Sequence, residues 1–201
     1  MPFPNDGAGV GASLPYRKLT LDIDGVEAAP PSAAVFERRP MTNGQTRLVI
    51  SAPPDKPGLL PALVERLAEP LFLLYVLHTP RGEGVAGRYQ SPPLDRQQVG
   101  DFLTTFAAYL AGDARHDLWV HSAGDGRTLI WDRHDLVFAE GEALDDIADA
   151  LEAMGFESDA VPRLGAGPHV HYYRPEFDAE AAAVLARFDW TRSDLRPEDE
   201  Q

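Results

Sequence analysis

Five of the six histidines of this chain fall in its second half, at His116, His121, His134, His169 and His171. In His169-Val170-His171 the imidazoles are two positions apart, so on a β-strand both leave the same face and come within reach of one divalent ion. A third donor from His121 or His134, or a carboxylate from Asp132, Asp135 or Glu176, would complete a nitrogen-rich metal site. The same strand has a plainer reading. If Val170 and Tyr172 point into a core, then His169, His171 and Tyr173 line a solvated or interfacial face and hold nothing. A remaining role for one of these histidines is proton transfer. The chain has no cysteine, which removes disulfides, thiolate nucleophiles and every Cys-based zinc or iron–sulfur site. It also has no His-Glu-x-x-His motif. A divalent metal is therefore the one cofactor candidate, and no other cofactor and no catalytic residue is predicted.

Gly82-x-Gly84-x-x-Gly87 is the only formal phosphate motif, and it directly follows a predicted strand. A dinucleotide fingerprint needs its helix to open inside the glycine run, so that the helix N-terminus meets the pyrophosphate. Here Tyr89-Gln90-Ser91-Pro92-Pro93 intervenes before a helix begins at Asp95, so the motif fails its context. What survives is a long loop from Thr79 to Leu94, a candidate anion or ligand loop built on Arg81, Gly82, Gly84, Gly87 and Arg88, set against the reading of a plain surface connection. His121-Ser122-Ala123-Gly124 is no nucleophile elbow, and adjacent strand residues point to opposite faces, so His121 does not activate Ser122.

The 201 residues carry a net charge of −14, and the second half accounts for all of it. From Asp135 to Pro162 there are nine acids and no Lys or Arg. Within that stretch Glu142, Asp145, Asp146, Asp149 and Glu152 form the outer face of a predicted helix, and ordered negative surface of this kind steers a basic protein partner. The same field repels phosphate backbones and anionic lipid, so neither nucleic acid nor membrane is expected as a partner. The longest apolar run, Leu71 to Leu77, is far shorter than the roughly 18 to 20 residues of a membrane-spanning helix. Residues 1–15 show no basic start and no apolar segment, so a flexible arm and a cytoplasmic location are expected. Only Lys18 and Lys56 represent lysine among 18 basic residues, a bacterial-like composition that a GC-rich genome would produce.

The elements that must position these groups are read from periodicity. Strict alternation over Lys18 to Asp24 predicts a half-buried strand with Leu19, Leu21 and Ile23 inward and Lys18 outward. Residues 34–39 and 46–51 form a hairpin around Asn43-Gly44, and Leu71 to His78, apolar on both faces, suits a central strand. Residues 117–122, 127–131 and 136–139 read as an antiparallel meander, and 170–173 as a short strand. Helices are predicted over about 60–68, from the Asp95/Gln98 capping box to Leu110, over 142–154, and from Pro175 or Asp178 to Phe188. The fold class is α+β: a mostly antiparallel sheet with helices packed on one face. The order strand, strand, strand, helix, strand, helix occurs twice, over 17–112 and 115–190, which is compatible with a duplicated βββαβα unit although no residue identity supports it. One domain is expected over 16–190, followed by a flexible acidic tail over 191–201. On these grounds the first expectation is a protein-binding or adaptor module that uses its acidic half. The rivals are a small-molecule or metal-dependent enzyme centred on the histidine strand and the Gly-Arg loop, and a homodimer that joins through His169, His171, Trp190 or a strand edge and has no ligand site.

Overall fold

Alternation of apolar side chains organises a nine-stranded sheet and a smaller one of three strands. The strands are β1 (Leu19–Ile23), β2 (Val26–Ala28), β3 (Val35–Pro40), β4 (Thr46–Ser51), β5 (Leu71–Leu77), β6 (Gly87–Gln90), β7 (His116–Ser122), β8 (Thr128–Trp131), β9 (Leu136–Glu140), β10 (Glu157–Ser158), β11 (His169–His171) and β12 (Thr191–Ser193). The computed structural model describes residues 17–31, 33–162 and 167–200, so the expected arm over 1–15 lies outside them. In the main sheet the order is β10-β3-β4-β9-β8-β7-β5-β6-β12, antiparallel except where β10 joins β3. The meander and the 34–51 hairpin are both present, and Gly44 takes the φ of +84° that the hairpin turn requires.

Register puts Leu48, Ala139, Leu129, Val120 and Leu73 side by side across five strands, all fully buried. This row packs into one core with side chains of five helices: α1 (Leu59–Val64), α2 (Arg96–Thr105), α3 (Ala107–Gly112), α4 (Asp145–Ala153) and α5 (Asp178–Ala186). The next row, Val49, Phe138, Ile130, Trp119 and Leu74, lies on the opposite face. There the Arg47 guanidinium lies 4.5 Å from the Phe138 ring centroid and that of Arg88 lies 5.3 Å from Trp119. Helices on one face of an antiparallel sheet is thus the architecture, and the fold is α+β.

The capping box at the start of α2 is complete, with Gln98 N–H donating to Asp95 at 2.8 Å and Asp95 N–H to the Gln98 side chain at 3.0 Å. The helical period continues to Leu110, but the backbone breaks at Phe106 (φ −104°, ψ 14°), dividing the expected helix into α2 and α3. Two segments expected to be irregular are ordered by pairing with each other. The 79–94 loop contains β6, and the expected acidic tail supplies β12 at its edge. No duplicated unit is seen among the described residues: β1 leaves the main sheet to form a small one, β11-β1-β2, with a strand of the other half. In that small sheet the amphipathic expectation for β1 is reversed at both ends: Lys18 is fully buried and Ile23 is 55% exposed.

Candidate metal centre

The hairpin turn between β8 and β9 carries the first histidine. Asp132 shapes this turn, since its carboxylate accepts the backbone N–H groups of His134 and Leu136, both at 2.9 Å. Asp135 closes it in the left-handed region at φ +59°, a conformation that Asp tolerates through local hydrogen bonding. The other oxygen of Asp132 lies 3.2 Å from His134 Nδ1, which leaves His134 Nε2 as the free ring nitrogen.

The other two histidines come from β11. Leu19 and Leu21 of β1 pair with His171 and His169, and the two-residue period turns both imidazoles to the side facing the turn. Val170, between them, is 39% exposed, so the reading with Val170 in the core and the histidines in solvent is inverted: all three histidines are half-buried. Lys18 joins the two pieces. Its Nζ donates to the Asp132 carbonyl at 2.7 Å and sits 4.2 Å from the centroid of the Trp131 ring. Its backbone N–H donates to Asp135 at 3.3 Å, and its carbonyl accepts from Tyr172 N–H at 2.8 Å. Burial pushes the Lys18 ammonium below its ordinary range, opposed by the carboxylates of Asp135 and Asp132.

One potential ligand atom from each of His134, His169 and His171 lies within 4.8 Å of the others, and the ring centroids are 4.7 to 5.2 Å apart. His169 Nδ1 is 2.8 Å from the Gly167 carbonyl, so it too is held through Nδ1 and keeps Nε2 free. His171 Nε2 is buried and has no hydrogen-bond partner among the described residues. Burial, then the neighbouring His134 and His169, push the His171 imidazole down to about 4, so it is neutral and its lone pair is available at physiological pH. One ring nitrogen from each histidine is therefore brought together, and among the described residues Nε2 is the nitrogen left without a hydrogen-bond partner in each. Bonds of about 2.0–2.1 Å to a tetrahedral ion would set nitrogens roughly 3.3 Å apart, a closure of about 1.5 Å at most from the present separation. Comparison with protein-family models, with curated proteins and with solved structures finds no match to this chain.

The remaining candidates fall elsewhere. His121, exposed near the end of the interior strand β7, lies with Nδ1 2.9 Å from the Thr128 hydroxyl and does not join the cluster. Asp132 acts behind His134, Asp135 turns toward a cleft on the helix side, and Glu176 lies in a short 3₁₀ turn before α5. The loop arginines are engaged by carboxylates of the C-terminal half: Arg81 with Asp178 at 3.1 Å, and Arg88 with the buried Asp199. Gly87 is glycine because a Cβ there would lie 2.8 Å from the Ser193 carbonyl, so strand pairing explains it without a phosphate. Gly82 takes φ +115° and Gly84 packs against Leu185, which ties the loop to α5. On the acidic face Asp145 pairs with Arg38 at 2.5 Å and Asp146 with Arg127 at 2.7 Å, while Glu142, Asp149 and Glu152 add negative surface around them.

The roles of three residues around the cluster and the 79–94 loop differ from what their sequence positions suggest. Lys18 lies on what alternation marks as the polar face, and only the packing of the small sheet buries it. Asp132 could be read as a ligand, yet the Asp-x-His spacing within a turn is the signal for a carboxylate that orients the imidazole from behind. Arg115 is fully buried, with both Asp113 oxygens at 2.9 and 3.0 Å, Glu83 at 3.1 Å and Asp178 at 3.0 Å, and it anchors the 79–87 loop and α5 beside β7.

Proposed function

We propose that the protein binds a divalent first-row transition-metal ion, with zinc as the case to test, through Nε2 of His134, His169 and His171. The carrying observation is the convergence of three imidazoles, two of them already held through Nδ1 and the third with a buried, unpartnered nitrogen. Neutral imidazole suits zinc, copper and nickel, and three protein ligands leave a coordination position for water or a ligand donor, as in catalytic sites. The Asp132 carboxylate behind His134 reproduces the carboxylate–histidine–metal arrangement that fixes tautomer and ring orientation. The acidic-surface reading has less support, since two of its five carboxylates are already neutralised by arginines of the same chain.

Titration of untagged protein with zinc sulfate in a calorimeter is expected to give one site per chain. Substitution of His134, His169 or His171 by alanine should weaken binding by more than the ~10–100-fold that loss of an outer-shell partner costs, and Asp132→Asn by about that amount. His121→Ala should leave binding unchanged. Cobalt(II) in place of zinc should give the visible absorption of a low-coordinate nitrogen site in the parent and not in His171→Ala. Uptake below about 0.1 equivalent, or equal uptake by a variant lacking all three histidines, would overturn the proposal.

A further inference from the structure

A second site lies on the helix side of the sheet, behind the turn that carries His134. The Pro53–Pro57 segment, α1, α3 and the strand residues Trp131 and Val137 line a narrow cleft that opens to solvent. The walls are mostly carbon, from Pro53, Leu60, Leu103, Leu110 and the indole of Trp131. Ala107 and Ala111 project from α3 where larger residues would close the space. Proline rings resist collapse of the wall they form, because their backbone φ is fixed.

Only two lining residues carry charge, Lys56 and Asp135. The Lys56 ammonium donates one of its three N–H groups to the Met154 carbonyl at 3.1 Å and stays at the rim. Asp135 receives the Lys18 backbone N–H on Oδ2 at 3.3 Å, while the Lys18 ammonium is directed to the Asp132 carbonyl and the Trp131 face. The Asp135 carboxylate thus stands beside the Trp131 indole at one end of an apolar cleft, the arrangement of small-molecule sites in which one polar group sets orientation.

We propose that this cleft binds an apolar small molecule with a hydrogen-bond-donating head, an ammonium or hydroxyl group. Its body lies between α1, α3 and Trp131, and its head on Asp135. A carboxylate head is repelled there, since its charge has the sign of the group it meets. The site uses none of the three histidines, and its probes are read in EDTA, apart from any metal.

The test uses the full chain in EDTA, titrated with benzylamine, benzyl alcohol and benzoate, and followed by the indole N–H signals, with the Trp131 signal assigned by its loss in Trp131→Phe. Benzylamine and benzyl alcohol are expected to move the Trp131 signal at millimolar concentration, and benzylamine should bind at least ~10-fold more tightly than benzoate. Asp135→Asn, which keeps a residue that tolerates the left-handed turn, should bring that ratio below ~3-fold. Ala107→Trp should abolish binding of all three probes; should that variant unfold, Ala111→Phe blocks the same space from the next turn of α3. No movement of the Trp131 signal with any probe, benzoate as the tightest ligand, or a ratio unchanged in Asp135→Asn overturns the proposal. None of these results bears on the zinc titration.

Discussion

His116 shows how a single buried side chain couples the fold to pH. It is fully buried, its ring centroid lies 5.0 Å from that of Tyr75 and 4.7 Å from that of Tyr109, and neither ring nitrogen has a hydrogen-bond partner among the described residues. Burial, reinforced by the charges of Lys18 and Arg115, holds it neutral well below its ordinary 6.5. The unfolded chain therefore takes up a proton below pH 6.5 that the folded chain refuses, so the stability due to this group is present above that pH and is lost on acidification, by up to ~1.4 kcal/mol per pH unit. Asp135 acts in the opposite sense. Burial raises its carboxyl from 3.8 to about 6, so its folded form holds the proton more tightly and favours the fold as pH falls through that interval. His116→Phe separates the two. The phenyl ring keeps the aromatic packing and removes two unmet nitrogens, so stability at pH 7.5 should stay within about 1.5 kcal/mol of the parent. Urea unfolding at pH 7.5 and 5.0 should show a smaller acid loss in the variant, and an equal loss in both would assign the pH dependence to other groups.

At the scale of elements, the site is a junction between a hairpin turn and a three-stranded sheet, and Lys18 is the side chain that joins them. Lys18→Met keeps the length and apolar stem but leaves the Asp132 carbonyl without its donor and removes the positive charge near the carboxylates of Asp135 and Asp132. Removing one partner from a buried charge cluster costs about 3–5 kcal/mol, and the loss should be accompanied by weaker zinc binding because β11 is no longer held against the turn. Hydrogen exchange localises the effect: amides of β1 and β11 should exchange faster than those of β5 and β7. Uniform acceleration, or zinc affinity equal to the parent's, would show that Lys18 does not set the junction. This junction also explains what the sequence discloses. His169 and His171 are legible as a pair because strand alternation is a local rule, and His134 as a third candidate because its residue type is right. The choice of His134 over His121 is made by pairing between β1 and β11, at sequence separations above a hundred residues, which no local period encodes. The meander, the hairpin and the start of α2 were legible for the same reason, each resting on alternation, a turn dipeptide or a cap. Strands β2, β10 and β12 were not: they are two or three residues long, mostly exposed, and exist because a partner edge is available.

Across the whole molecule, the expected tail closes the far edge of the main sheet. Thr191, Arg192 and Ser193 pair with Gln90, Tyr89 and Arg88, and the Asp199 carboxylate reaches back to the buried Arg88 guanidinium. Trp190 packs its ring against Phe102, Phe188 and Tyr75 and donates from Nε1 to the Val184 carbonyl at 3.0 Å, so the chain is fixed just before the edge strand begins. Truncation after Trp190 keeps that aromatic packing while removing β12 and Asp199. It leaves β6 as an unprotected edge and Arg88 as a buried charge without its carboxylate, changes that expose strand backbone and cost about 3–5 kcal/mol together. The truncated chain should unfold at lower urea and associate with rising concentration, while its zinc titration is unchanged because the histidines lie at the opposite side of β7 from this edge. Arg88→Met in the truncated chain separates the two contributions: it should recover the part due to the unpaired guanidinium and leave the association, which belongs to the open edge. A truncated chain as stable and as monomeric as the parent would show instead that the last eleven residues only decorate a sheet that is complete without them.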